Sequence, residues 1–192
     1  MPSPRHLSLL LLTATLALGA CRQDDAGTGE DRSIADSIRD EVREELTTQN
    51  LQVGGGKADL PRAEISPQGE FFIGGKKQPL DASQQALLLR YRTQLATVAD
   101  AGSEVGLQGA ALAGSALKEA AKGALGGDTK EGEARIEAEA ERVRASARRL
   151  CDLLPGLHAS QEAAKAAIPA FAPYADMDES DITDCRADID RR

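Results

Sequence analysis

The sequence predicts a mainly helical α+β fold in which a small antiparallel β hairpin or meander sits beside a long antiparallel helical hairpin and a helical C-terminal tail. Three observations predict it. Apolar residues recur at three- and four-residue spacing over most of 82–154, residues 51–80 are broken up by glycine and proline, and Cys151 and Cys185 can tie the tail back. The 192 residues hold 18 glycines, no tryptophan and only 3% aromatic residues, so the core has to be thin and built from small side chains. Lys and Arg total 23 against 31 Asp and Glu, a net charge of −8 that repels a phosphate backbone. A nucleic-acid partner is not expected.

Residues 1–20 start with Arg5, run apolar from 7 to 18 through Leu9, Leu10, Leu11 and Leu12, and exit at Gly19 and Ala20. That is the pattern of a secretory signal, and the run is too short to span a bilayer stably. Leu18-Gly19-Ala20-Cys21 resembles the lipobox of bacterial lipoproteins. The resemblance implies that Cys21 is acylated, becomes the new N-terminus and attaches the protein to a membrane. Arg22 is not the aspartate that retains lipoproteins at the inner membrane in many Gram-negative bacteria, which implies the periplasmic face of the outer membrane. If the lipobox is unused, the product is soluble in the periplasm. Residues 21–32 are polar and without periodicity, so a flexible tether is expected there.

With Cys21 lipidated, Cys151 and Cys185 remain as a pair in an oxidising compartment, and a disulfide is expected. A metal pair or a catalytic thiol are the competing readings. A metal pair normally brings further Cys or His ligands, whereas His158 is the one histidine after Cys21.

Residues 33–192 read as a single envelope domain. An amphipathic helix is expected over 33–48, where Ile34, Ile38, Val42 and Leu46 stand four residues apart among Asp, Glu and Arg. In 51–80, short strands are expected at Ala63-Glu64-Ile65-Ser66 and Glu70-Phe71-Phe72-Ile73, with Pro67-Gln68-Gly69 and Gly74-Gly75 as turns. Asp81 followed by Gln84 forms a capping-box start for the first long helix. Its seam runs from Leu88 through Tyr91, Leu95, Val98, Gly102, Val105, Gly109 and Leu112 to Ala116, and it ends near Gly126-Gly127. The second seam, from Ile136 to Leu154, is expected to stop at Pro155, with Glu131/Arg135, Glu139/Arg142 and Glu141/Arg144 as surface pairs. Residues 156–192 then hold a separate short helix, an aromatic turn and an acidic tail.

The stretch Gln84-Gln85-Ala86-Leu87-Leu88 with Arg90-Tyr91, preceded by an apolar strand and Leu80, resembles the YggN-type family of bacterial periplasmic proteins, a domain of unknown function. The resemblance covers most of 50–154. It implies an exported envelope protein and supplies no activity.

No catalytic residue, metal site or cofactor is expected. His158 lies beside no nucleophile, and Gly54-Gly55-Gly56-Lys57 is followed by Ala58 where a phosphate-binding loop needs Ser or Thr. Asp176, Asp178 and Ser180 imitate the start of a calcium loop, yet Asp181 replaces its glycine and Ala187 its bidentate glutamate, so a helix-capping acidic run is expected instead. The small-residue row Gly102, Gly106, Ala110 and Gly114 has two readings. It either packs closely on the second long helix, the favoured reading, or forms an interaction surface for another envelope protein or the lipid interface. The expected role is non-catalytic: an envelope interaction or accessory protein, with a carrier or chaperone-like module for apolar ligands, or a hydrolase, as alternatives.

Overall fold

The computed structural model describes residues 27–54 and 59–191. Cys21 and the signal segment therefore lie outside the described residues, as do Gly55, Gly56 and Lys57. Element order is α1 (Gly27–Thr48), β1 (Leu51–Val53), β2 (Ala63–Ile65), β3 (Phe71–Ile73), β4 (Lys76–Lys77), α2 (Ala82–Ala124), α3 (Lys130–Ala167), a 3-10 turn (Ala172–Tyr174) and α4 (Glu179–Asp190). The architecture is the expected one: mainly helical, with a small antiparallel sheet, two long packed helices and a disulfide near the C-terminal helix.

The sheet is a four-stranded meander in sequence order. Its register places Val53 opposite Ala63 and Ile65 opposite Phe71, so alternate residues point one way and bury against the helices. Between β2 and β3 the chain turns at Gly69, whose φ of +79° suits glycine; a Cβ there would also come within 2.6 Å of the Leu89 side chain. Ser66 Oγ accepts from the amides of Gln68 and Glu70 and fixes this turn.

α2 starts with the expected capping box. Asp81 accepts from the Gln84 amide while the Gln84 side chain accepts from the Asp81 amide. Gln84 also donates to the carbonyl of Ala167 at 2.8 Å, which joins the start of α2 to the end of α3. One and two turns on, Leu88 and Tyr91 enter the core beside Phe71, Ile65, Ile168, Phe171 and Tyr174. The rings meet edge to face, with centroids 5.3 Å apart for Tyr91 and Phe171 and 5.7 Å for Phe71 and Phe171. Burial, with some help from Asp176, pushes the Tyr91 phenol up to about 12.

Several elements differ from the sequence expectation. α1 begins at Gly27, so the tether expected over 21–32 is helical in its last six residues and the helix expected over 33–48 is longer. Once a helix is nucleated by its packed end, each added turn is easy to form. Of the α1 stripe, Val42 and Leu46 are half-buried, whereas Ile34 and Ile38 stand 58% and 42% exposed. α3 runs straight through Pro155 to Ala167, so the hairpin is not confined to 82–154 and the tail expected from 156 is not a separate helix up to Ile168. Proline removes one helical hydrogen bond, but the next turns bury Leu157, Ser160, Gln161 and Ala164, and that packing outweighs the defect. His158 consequently sits inside α3, half-buried. Arg135 pairs with Glu119 across the hairpin at 2.6 Å. Arg144 pairs with Glu141 as expected and with Glu137 at 3.3 Å.

Candidate functional site

The molecule divides into a head and an arm. In the head, the sheet, the first turns of α2, the last turns of α3 and the 3-10 turn share one core. α2 has 43 residues, about 65 Å of helix, and from Val98 onward it leaves the head with α3 alongside. Between 99 and 150, the only fully buried described residues are Glu119 and Gly132.

The arm is closed near its tip by these two residues. Glu119, 7% exposed, accepts from Lys122 at 3.1 Å and Arg135 at 2.6 Å and lies on the first turn of α3. Gly132 makes room for it, since a Cβ there would come 2.1 Å from the Glu119 carboxylate. The lysine, arginine and positive end of α3 all favour the carboxylate, and Lys122 foremost holds its pKa below the ordinary value. Toward the head, Gln108, Leu112 and Ser115 of α2 and Glu139, Arg142 and Val143 of α3 border a cleft of about 300 Å³.

The glycine row does not meet α3. Around each of Gly102, Gly106 and Gly114 an added Cβ finds nothing within 4 Å, and Gly106 and Ala110 are exposed. This corrects the close-packing expectation. Four residues exceed one helical turn, so each step advances the row by about 40° and over four positions it winds off any single partner. The residues that do face α3 step by four, three and four: Gln108, Leu112, Ser115 and Glu119. Replacing Gly106 by alanine or leucine should therefore leave the melting temperature unchanged or raise stability by up to about 1 kcal/mol, through helix propensity alone. Thermal unfolding checks this, and a marked loss of stability would restore the packed reading.

The α2 face that the head covers at Leu88, Tyr91 and Leu95 continues uncovered through Gly106, Ala113, Leu117 and Ala120 to Ala124, all exposed. Leu117 is 72% exposed, and Leu125, beyond the helix end, 89%.

α1 lies antiparallel on another side of α2. Arg43 pairs with Asp100 at 2.9 Å and Arg39 with Glu104 at 2.9 Å, and the Gln108 amide joins Arg39 in lowering the Glu104 pKa. The firm tie is Arg92, 5% exposed, whose guanidinium donates to Ile65 O, Leu46 O and Gln49 O at 2.7–2.8 Å. It caps the last carbonyls of α1 and holds them to β2, while burial lowers its own pKa. A groove of about 500 Å³ runs between the two helices, bordered by Leu46, Leu89, Thr93, Ala96, Thr97 and Asp100.

Cys151 and Cys185 are bridged, with Cα atoms 5.8 Å apart, as the cysteine count indicated. Arg186 pairs with Asp152 beside the bridge at 3.0 Å. Asp178 caps α4 by accepting from Ser180, so the acidic run is the helix start it was expected to be. Buried polar side chains elsewhere bind backbone: Gln161 exchanges two hydrogen bonds with Met177, and Ser160 donates to Leu157 O. Among the described residues no three His, Cys, Asp or Glu side chains group as a metal site, and no helix is long and apolar enough to cross a membrane.

Sequence reasoning passed over Arg92, Gln161 and the Glu119–Gly132 contact. Gly132 leaves one trace in the sequence, a glycine within the first turn of an otherwise helix-favouring segment. Compared with known proteins, the chain matches no family model, no curated protein and no solved structure.

Proposed function

We propose that the chain is a bacterial envelope lipoprotein of the YggN-type family, attached through acylated Cys21 to the periplasmic face of the outer membrane, with a non-catalytic interaction or accessory role. The observation that carries this role is the arm. It holds two long helices together without an apolar core of its own and leaves one apolar α2 face, Gly106 to Ala124, uncovered. An uncovered apolar face of this length is characteristic of a contact surface. The buried polar groups of the head, Arg92 and Gln161, are hydrogen-bonded to backbone, Arg92 at the wall of the groove between α1 and α2 and Gln161 at Met177. A carrier role is the second reading, supported by the groove between α1 and α2.

The anchor is tested by Cys21→Ala. This variant should lose acyl labelling and move from the membrane fraction to the soluble periplasm, because two or more acyl chains supply stable attachment and nothing else in the proposal does. Unchanged labelling and fractionation would overturn the lipoprotein assignment.

A further inference from the structure

We infer that the arm tip, with Leu117, Leu125, Lys118 and Lys122, lies against the phospholipid surface in which the acyl chains of Cys21 are inserted. The inference rests on the lipid-anchor reading proposed above and adds an orientation to it. The Arg39–Glu104 pair sets α1 and α2 at a common level. From there α1 runs back twelve residues to Gly27, about 18 Å toward the tip, and α2 runs twenty residues to Ala124, about 30 Å in the same direction. Gly27 thus stops about 12 Å short of the tip. Six peptide steps separate it from Cys21 and span at most about 20 Å. The anchor reaches the tip level. It cannot reach the opposite end at Ala82, which lies about 50 Å behind the level of Gly27.

The tip has the chemistry for that surface. By helical periodicity Lys118, Lys122 and Leu125 fall within about 60° of Asp100 and Glu104, so they share the side on which α1 lies and from which the anchor arrives. Leu117 lies outside that sector, on the uncovered face about 80° round the helix from Leu125, and both leucines stand in solvent. The exposed charges of the last α2 turns are Lys118 and Lys122, while Glu119 is buried between Lys122 and Arg135; the start of α3 adds Lys130 and Arg135 together with exposed Asp128, Glu131 and Glu133, so the basic side of the tip is the α2 side. Exposed leucines flanked by lysines suit an anionic headgroup layer, with the lysine stems lying along the apolar boundary.

The absence of tryptophan makes the test direct. The full acylated chain carrying Leu125→Trp, a substitution at an exposed site, is reconstituted into phosphatidylethanolamine and phosphatidylglycerol vesicles with brominated acyl chains. A second protein carries Gln52→Trp, on the exposed outer side of β1 in the head. Both should float with the vesicles. Fluorescence of the tip probe should be quenched about twofold or more and shifted to the blue, while the head probe is unaffected. Flotation with an unquenched tip probe, or with both probes quenched alike, overturns the tip contact and leaves the anchor standing. Failure to float, with no acyl chain on the protein, overturns the anchor reading and this orientation together.

Discussion

Replacing Arg92 with methionine lowers the stability of the protein by about 3 to 5 kcal/mol. Its guanidinium makes three charge-assisted hydrogen bonds, each to a backbone carbonyl, the one to Ile65 buried and those to Leu46 and Gln49 partly so. Methionine fills much of the volume, but it leaves the carbonyls of Ile65, Leu46 and Gln49 without this donor. Leu46 lies in the last turn of α1 and Gln49 just past its end, and the ion pairs that join α1 to α2, Arg39–Glu104 and Arg43–Asp100, are partly exposed and worth little. The loss should therefore be directional. Urea unfolding should show the lowered midpoint, and hydrogen exchange should show α1 opening before the head. Arg92→Lys should recover only part of the loss, because an ammonium cannot span three diverging acceptors as a planar guanidinium does. A methionine variant within about 0.5 kcal/mol of the parent would show that the tie is not what holds α1.

Removing the disulfide, by Cys151→Ser with Cys185→Ser, should cost about 3 to 4 kcal/mol. The bridge closes a span of 34 residues, for which the loss of unfolded-chain entropy predicts a stabilisation of about 4 kcal/mol. The closed segment contains Leu157, Ala164, Ile168, Phe171 and Tyr174, so the constraint acts on core-forming chain. α4 has no fully buried residue; besides the bridge it is held to α3 by the exposed ion pairs Arg186–Asp152 and Arg148–Asp190 and by half-buried Ile182 and Ile189. In the double variant α4 should lose its exchange protection almost entirely while the sheet keeps part of its own. Peptide mapping without reductant should find the two cysteines linked in the parent. A parent with free thiols, or a double variant of undiminished stability, would contradict this account.

What could be read from the sequence was what local chemistry settles. Asp81 and Gln84 stand three residues apart and cap α2 as that spacing requires, and Pro67-Gln68-Gly69 turns between two strands as its composition requires. The pairing of Cys151 with Cys185 was legible as the two cysteines left once Cys21 is read as a lipidation site. What could not be read depends on distant partners. Nothing near Arg92 signals that its acceptors are at positions 46, 49 and 65. Pro155 reads locally as a stop and is overruled by the burial of Leu157, Gln161 and Ala164 beyond it. Most instructive is the glycine row. A four-residue spacing looks like a stripe on paper, yet on a helix of 3.6 residues per turn it is a spiral. The long seam packs into the head as far as Val98, where the head ends; beyond it Leu112 faces α3, while around Gly102 and Gly109 an added Cβ would find open space.

The aromatic rings are all in the head: Phe71, Phe171, Tyr91 and Tyr174 in its core, and Phe72 on β3. The arm contains none, although it supplies a large share of the helix. The protein is consequently two optical objects. Near-ultraviolet circular dichroism and tyrosine emission report the head alone, whereas far-ultraviolet ellipticity near 222 nm is weighted toward the arm. An arm that frays while the head stays folded would dim the second signal and leave the first untouched, so the distribution of its chromophores makes this chain its own reporter of which half has come apart.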